Sequence, residues 1–144
     1  MAEPVFSILV VCLNPGDKLR TTLESIREQT FRNYEVIIKD GLSSDGSLDF
    51  VKEVTEEFPS LRMISKKDGG IYDAMNQAVQ EAEGRYLYFL NCGDKFYHEK
   101  VLEKIAGLIA GHPANAGIYY GNLYERLTGR EVASNARLEG FGCF

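Results

Sequence analysis

Apolar residues form several short runs along the chain, and polar turn residues separate these runs. The runs are rich in β-branched and aliphatic side chains, which is typical of strands buried on both faces of a parallel sheet. We therefore predict a succession of short buried strands. The predicted strands are Val5–Cys12, Tyr34–Asp40, Leu61–Ile64, Arg85–Leu90 and Ile118–Tyr120.

Between these runs, apolar residues recur every three or four positions, which is the spacing of an amphipathic helix. The predicted helices run from Leu19 to Gln29, from Leu48 to Phe58, from Ile71 to Glu83 and from Val101 to Ile109. A turn at Thr128–Gly129 predicts an edge hairpin within 123–133. The alternation of strands and helices predicts an α/β fold with a mainly parallel sheet and helices on both faces. With 144 residues, the chain suits a single domain over 1–144.

Composition narrows the class of protein. The net charge is −5 and no run of Lys or Arg occurs, which argues against a nucleic-acid partner. The three cysteines, Cys12, Cys92 and Cys143, are far apart, match no zinc spacing and are odd in number, so they do not suggest a disulfide framework. We expect a cytoplasmic protein.

No apolar stretch approaches the roughly 20 residues that span a bilayer, and Met1–Pro4 lacks the basic start of a signal peptide. We expect no transmembrane segment. The chain ends in the apolar stretch 140–144, which neither caps a helix nor becomes polar. From this ending we expect a fragment of a longer protein.

Polar side chains follow the first, second and fourth predicted strands. Asn14, Asp40 and Asp94 hold these positions, and parallel strands would bring them to one edge of the sheet, where open α/β sheets bind ligands. Asp40 could accept a hydrogen bond from a base or ribose, and Lys66 or Lys67 could meet phosphate. Asp94 could bind Mg²⁺ or Mn²⁺. These groups suit a nucleotide diphosphate.

Each of these residues also has a structural interpretation. Asp40 begins an Asp-Gly turn dipeptide, and Asp94 could cap the segment that follows it. The two lysines could be ordinary solvated charges. Cys12 and Cys92 are interpreted as small buried apolar groups, because no His base or cation is near them in the sequence.

Five stretches, in this order and spacing, resemble one known family. They are Ser7–Asn14, Leu23–Thr30, Tyr34–Ser47, Lys67–Asn76 and Gly84–Asp94. Together they resemble family 2 glycosyltransferases with the GT-A fold, in particular bacterial members that build surface polysaccharides. The resemblance covers residues 5–122, the nucleotide-binding core, and places 123–144 at the start of the acceptor-side region.

The resemblance implies a UDP- or GDP-sugar donor, Mn²⁺ or Mg²⁺, and transfer with inversion to a saccharide or lipid-linked acceptor. It also implies peripheral association with the inner face of the membrane as one option, and it leaves the oligomeric state open. The implied site residues are Leu13 and Asn14 for the base pocket, Asp40 for the base, Lys67 and Asp68 for the nucleotide, and Asp94 for the metal.

Two departures from the family pattern affect these expectations. The metal motif is Asn91-Cys92-Gly93-Asp94, so only its last position keeps a carboxylate. The half of the family fold that carries the general base lies beyond Phe144, so no catalytic residue is assigned. A non-catalytic nucleotide-sugar-binding fragment is therefore the alternative function. A receiver domain would need an acidic pair where this chain has Leu13 and Asn14, and a dinucleotide-binding domain would need a Gly-rich turn there.

Overall fold

A computed structural model describes residues 3–111, 123–125 and 128–132. The chain divides into two compact units, Met1–Ala106 and Gly107–Phe144. The single domain over 1–144 stays a prediction. Among the helices in the described part of the chain, none has the length and apolar character that a bilayer span requires.

The helices and strands follow the predicted order. They are β1 (Phe6–Cys12), α1 (Lys18–Arg27), β2 (Tyr34–Asp40), α2 (Asp49–Val54), β3 (Leu61–Ser65), α3 (Ile71–Gln80), β4 (Tyr86–Phe89), α4 (Val101–Ala110), β5 (Leu123–Glu125) and β6 (Arg130–Val132). The first four predicted strands and all four helices are confirmed. α2 is shorter than predicted because the chain tightens into a 3₁₀ turn at Thr55–Glu57. The predicted strand at Ile118–Tyr120 lies outside the described residues.

The predicted hairpin is confirmed as an antiparallel pair, with Leu123 opposite Val132 and Thr128–Gly129 in the turn. Among the described residues, β5 and β6 pair with each other in a two-stranded sheet of their own, and the predicted edge position is not seen for these residues. Gly129 has a φ of 65°, a left-handed conformation that glycine adopts without steric cost.

The larger sheet has four parallel strands in the order β3-β2-β1-β4. Every residue of β1 and β2 is buried. This burial agrees with the near-continuous apolar runs in the sequence, because central parallel strands are covered on both faces. The carboxyl ends of all four strands lie at one edge of the sheet.

Helices cover the sheet on both faces. On one face, Leu9 of β1 and Ile37 of β2 pack against Ala78 of α3. Side chains alternate along a strand, so Tyr34 points to the opposite face from Ile37. Its hydroxyl donates a 3.1 Å hydrogen bond to the carbonyl of Ile26 in α1, which places α1 on that face. The predicted α/β architecture is therefore confirmed.

Candidate functional site

The loops after β1 and β2 are joined by hydrogen bonds at the carboxyl edge. Asn14 donates its backbone N–H to Ser43 Oγ at 2.7 Å, and its side-chain Oδ1 accepts from the Ser44 N–H at 2.8 Å. The Ser43 hydroxyl in turn donates to Asp40 Oδ1 at 2.5 Å. The structure thus brings Asn14 and Asp40 into one network, as the sequence predicted.

Asp40 is almost completely buried, at 1% exposure. Its carboxylate also accepts the backbone N–H of Ser43, at 3.0 and 3.2 Å to the two oxygens. These contacts close the turn that follows β2, so the structural interpretation of the Asp-Gly dipeptide holds. A carboxylate has about four lone-pair positions, so a ligand could use those that remain.

Two leucines stand exposed beside this network. Leu13 is 61% exposed, and Leu42 is 56% exposed with a φ of 74°. A left-handed conformation is strained for a residue with a branched side chain, and such strain is concentrated at functional sites. The Leu13 side chain lies over Gly41, because a Cβ at Gly41 would be 3.4 Å from Leu13 Cδ1. The carboxyl edge of the sheet therefore presents apolar surface next to buried polar groups. This arrangement suits the binding of a flat aromatic ring.

A buried lysine, Lys39, connects the loop after β3 to the end of β2. Lys39 is 0% exposed, and its ammonium group donates to Asp68 Oδ2 at 2.8 Å and to the carbonyls of Asp40 and Lys66. A Cβ at Gly41 would lie 3.0 Å from Asp68 Oδ2. Asp68 therefore reaches the turn after β2.

The Lys39 ammonium, followed by the Gly70 N–H, lowers the pKa of Asp68 from its ordinary value. Asp68 is therefore a carboxylate at neutral pH, and Lys39 holds it in place. Sequence reasoning missed Lys39. The available clue was a charged residue inside a strand predicted to be buried on both faces.

Lys67 stands in the same loop and is exposed. Its backbone carbonyl accepts a 3.3 Å hydrogen bond from Gln77 Nε2 of α3, which anchors the loop while the ammonium group faces solvent. Among the described residues, no ion pair engages its positive charge.

Asp94 belongs to a turn that α1 fixes in place. Thr22 of α1 accepts the Gly93 N–H at 2.8 Å and donates its hydroxyl to the Asp94 carbonyl at 2.7 Å. Gly93 has a φ of 99°, which favours glycine at this position. In the part of the chain that the structure describes, the exposed Asp94 carboxylate accepts no backbone hydrogen bond. The capping interpretation is therefore not supported.

The turn that carries Asp94 offers oxygen atoms suited to a hard cation. Asn91 Oδ1 is buried and has no hydrogen-bond partner among the residues that the structure describes. Within the described residues, no three His, Cys, Asp or Glu side chains are grouped as metal ligands. Mg²⁺ commonly uses only one or two protein carboxylates together with substrate phosphates, so the single carboxylate of Asp94 fits such an ion.

β1 separates the two parts of the site. β2 and β4 flank β1, so the turn after β2 and the turn after β4 are about two strand spacings apart, or about 10 Å. Asn14 and Asp40 thus lie on one side of the end of β1. Asp94 lies on the other.

The family model for glycosyl transferase family 2 matches residues 7–140. The chain belongs to this family. A PGL/p-HBAD biosynthesis glycosyltransferase of Mycobacterium bovis is 35% identical over 129 residues, which are 89% of this chain and 50% of that protein. An uncharacterized Escherichia coli glycosyltransferase, YibD, is 32% identical over 91 residues, which are 63% of this chain and 26% of that protein. The chain spans about half the length of the mycobacterial relatives that it matches.

Solved structures share the fold. Staphylococcus aureus TarS 1–349 in complex with UDP-GlcNAc superimposes with a TM-score of 0.68 at 22% identity, over 81% of this chain and 37% of that chain. The mannosyltransferase PcManGT from Pyrobaculum calidifontis, in complex with GDP-Man and Mn²⁺, gives a TM-score of 0.67 at 23% identity, over 76% of this chain and 33% of that chain. Both likenesses confirm the predicted GT-A fold.

Proposed function

We propose that this family 2 glycosyltransferase transfers a sugar from a UDP- or GDP-sugar to an acceptor hydroxyl, with inversion at the anomeric carbon. The observation that carries the proposal is the grouping of Asn14, Asp40 and Asp68 in one bonded network, with exposed Asp94 across the end of β1. The nucleotide-sugar complexes of TarS and PcManGT support this choice of donor.

Each group in the network has a place in the proposed donor complex. Leu13 and Asn14 line the base pocket, and Asp40 accepts a hydrogen bond from the base. Asp68 faces the nucleotide, and Lys67 neutralises phosphate charge. Asp94 would hold the Mn²⁺ or Mg²⁺ ion. The bound cation supplies Lewis-acid stabilisation of the departing nucleotide diphosphate.

The proposed reaction is a direct displacement. The acceptor oxygen attacks the anomeric carbon while the bond to the diphosphate breaks on the opposite side, and a general base removes the hydroxyl proton. We assign no residue to that base. Most of the rate enhancement would come from placing the two substrates and stabilising the charge on the leaving group. The acceptor is proposed to be a saccharide or lipid-linked group used in surface polysaccharide assembly.

The first prediction concerns donor binding. Calorimetric titration of the chain with UDP and GDP, with and without Mn²⁺, is expected to show metal-enhanced binding of one nucleotide. Asp94→Asn is expected to abolish the enhancement by the metal and leave metal-free binding unchanged. Asp40→Asn is expected to weaken binding about tenfold or more even without metal, because a hydrogen bond to a charged group contributes about 1.5–3 kcal/mol.

Glu28→Gln is the matched control, because Glu28 is exposed and follows the last residue of α1, at the far end of the helix from the site. This variant is expected to bind like the wild type. Equal affinities with and without Mn²⁺ in the wild type would remove the metal role of Asp94. A wild-type titration curve for Asp40→Asn would exclude Asp40 from the base pocket.

A further inference from the structure

The pairing of β1 with β4 brings two cysteines side by side. Each paired β4 residue lies 80 positions after its β1 partner, from Phe6 with Tyr86 to Leu9 with Phe89. The backbone N–H of Leu90 continues the ladder with a 3.0 Å hydrogen bond to the carbonyl of Leu9. Cys12 and Cys92 have the same separation of 80 positions. The same spacing would place Cys92, three residues after the end of β4, beside Cys12 at the end of β1.

The side chains of these cysteines are close enough to interact. Side chains on adjacent strands at equivalent positions point to the same face of the sheet. The interaction with Cys92 raises the pKa of the Cys12 thiol, and both cysteines are free. Cys12 is buried, whereas Cys92 is partly exposed and can be reached from solvent.

The spacing of the strands is compatible with a covalent bond between the two sulfur atoms. Adjacent strands lie about 4.7–4.9 Å apart, and the Cα atoms of a disulfide are usually about 4.4–6.8 Å apart. The disulfide could form without changing the pairing of β1 with β4. The surrounding fold already supplies the close approach that two distant cysteines need.

We propose that Cys12 and Cys92 form a reversible disulfide when the protein meets a peroxide. The oxidant takes two electrons from the pair. The Cys92 thiolate attacks one peroxide oxygen, the O–O bond breaks, and hydroxide leaves, which gives a sulfenic acid on Cys92. The Cys12 sulfur then attacks that sulfur and displaces hydroxide, which takes up the thiol proton as water. In balance, two thiols and one hydrogen peroxide give one disulfide and two waters.

The position of this pair makes the modification relevant to the site. Cys12 directly precedes Leu13 and Asn14, and Cys92 lies two residues before Asp94. A Cys12–Cys92 bond would link the loop that carries Leu13 and Asn14 covalently to the turn that carries Asp94. The formation of the bond depends only on the geometry of the two strands and not on the proposed function.

The test uses the full chain, first reduced and then treated with hydrogen peroxide. Remaining thiols are blocked by alkylation, and the protein is digested without reduction for mass spectrometry. We expect a linked pair of peptides that contain Cys12 and Cys92, with the loss of two hydrogen atoms, and we expect dithiothreitol to remove the link. This readout needs no donor, metal or activity, so it separates this proposal from the proposed function.

Three variants sharpen the test. Cys143→Ser is the matched control and is expected to keep the linked peptides. Cys12→Ser is expected to lose the link and to accumulate a sulfenic acid on Cys92 that dimedone traps. Cys92→Ala is expected to lose the link and leave Cys12 alkylated after unfolding. A link to Cys143 in place of this pair, or full alkylation of both cysteines after peroxide treatment, would overturn the proposal.

Discussion

The ammonium group of Lys39 is buried and holds a loop in place. Lys39 is enclosed by β2 and the loop after β3, and it makes three hydrogen bonds to Asp40, Lys66 and Asp68. A buried charge is costly unless it is paired and fully hydrogen-bonded, and here each ammonium hydrogen has an acceptor. Lys39 therefore fixes the site residue Asp68 without reaching the solvent itself.

Lys39→Met is expected to lower the free energy of unfolding by about 3 kcal/mol, because it leaves two carbonyls and a carboxylate without their donor. Urea unfolding followed by circular dichroism measures this change. Lys52→Met is the matched control, since the Lys52 side chain is 73% exposed and forms only a 4.0 Å surface pair with Asp49. Equal losses of unfolding free energy in the two variants would show that the buried Lys39–Asp68 pair stabilises the fold no more than a surface pair does.

The residues of the site were accessible to sequence reasoning to different degrees. Asn14, Asp40 and Asp94 follow apolar runs directly, so the ends of parallel strands predict their common edge. Lys39 was missed because it stands within such a run, where a polar residue cannot be assigned a partner without the fold. The Cys12–Cys92 contact was missed for the same reason. It depends on the register of two strands that are far apart in sequence.

The backbone at Gly84, just before β4, lies very close to the backbone of β1. A Cβ at Gly84 would lie 2.5 Å from Ser7 Oγ, 2.6 Å from Ser7 N and 2.7 Å from the carbonyl carbon of Phe6. Two of these atoms are backbone, so the neighbour cannot rotate away. The Gly84 N–H donates to Ser7 Oγ at 2.8 Å, and this contact joins the start of β4 to β1.

Gly84→Ala is expected to destabilise the fold by about 2–3 kcal/mol, because an added methyl group forces the two backbones apart. The matched control is Gly107→Ala in α4, where an added Cβ meets no atom within 4 Å. Alanine there is expected to raise the stability by about 0.5–1 kcal/mol, since glycine disfavours a helix interior. Thermal unfolding of both variants checks the two signs. A neutral Gly84→Ala would mean that the strands separate easily.

The elements themselves were largely predictable, whereas their arrangement was not. Long apolar runs and helical spacing located β1, β2, α1 and α3 within a few residues. The position of β1 between β2 and β4 comes from tertiary packing. No local pattern in the sequence encodes it, and the same order decides which loops face each other at the site.

The buried carboxylate of Glu35 connects all four strands of the larger sheet. Glu35 of β2 accepts the Ser7 hydroxyl of β1 at 2.5 Å and pairs with Arg62 of β3 at 2.9 Å. It also accepts the backbone N–H groups of Glu83 and Gly84, which lead into β4. The candidate site lies at the carboxyl edge, so the network that joins the strands is at the opposite edge of the sheet from the candidate site.

The ionisation of Glu35 therefore connects the stability of the sheet to pH. Burial alone would raise the pKa of Glu35, but the hydrogen bonds from Ser7 and Glu83 and the ion pair with Arg62 together outweigh burial and lower it. The unfolded chain then binds a proton at a higher pH than the folded chain does. The stabilisation is complete above the unfolded pKa of about 4.3 and is lost as the pH falls through the lower folded pKa.

Glu35→Gln is expected to cost about 2 kcal/mol of unfolding free energy at pH 7, because hydrogen bonds to a charged group contribute about 1.5–3 kcal/mol. The difference between the wild type and the variant is expected to stay constant from pH 7 to about 5 and to shrink below about 4. Urea midpoints measured across this range test both statements. Glu53→Gln, an exposed carboxylate on α2, is the control and is expected to change the stability by less than about 0.5 kcal/mol. If the Glu35→Gln difference were as large at pH 3 as at pH 7, Glu35 would act through packing and not through its charge.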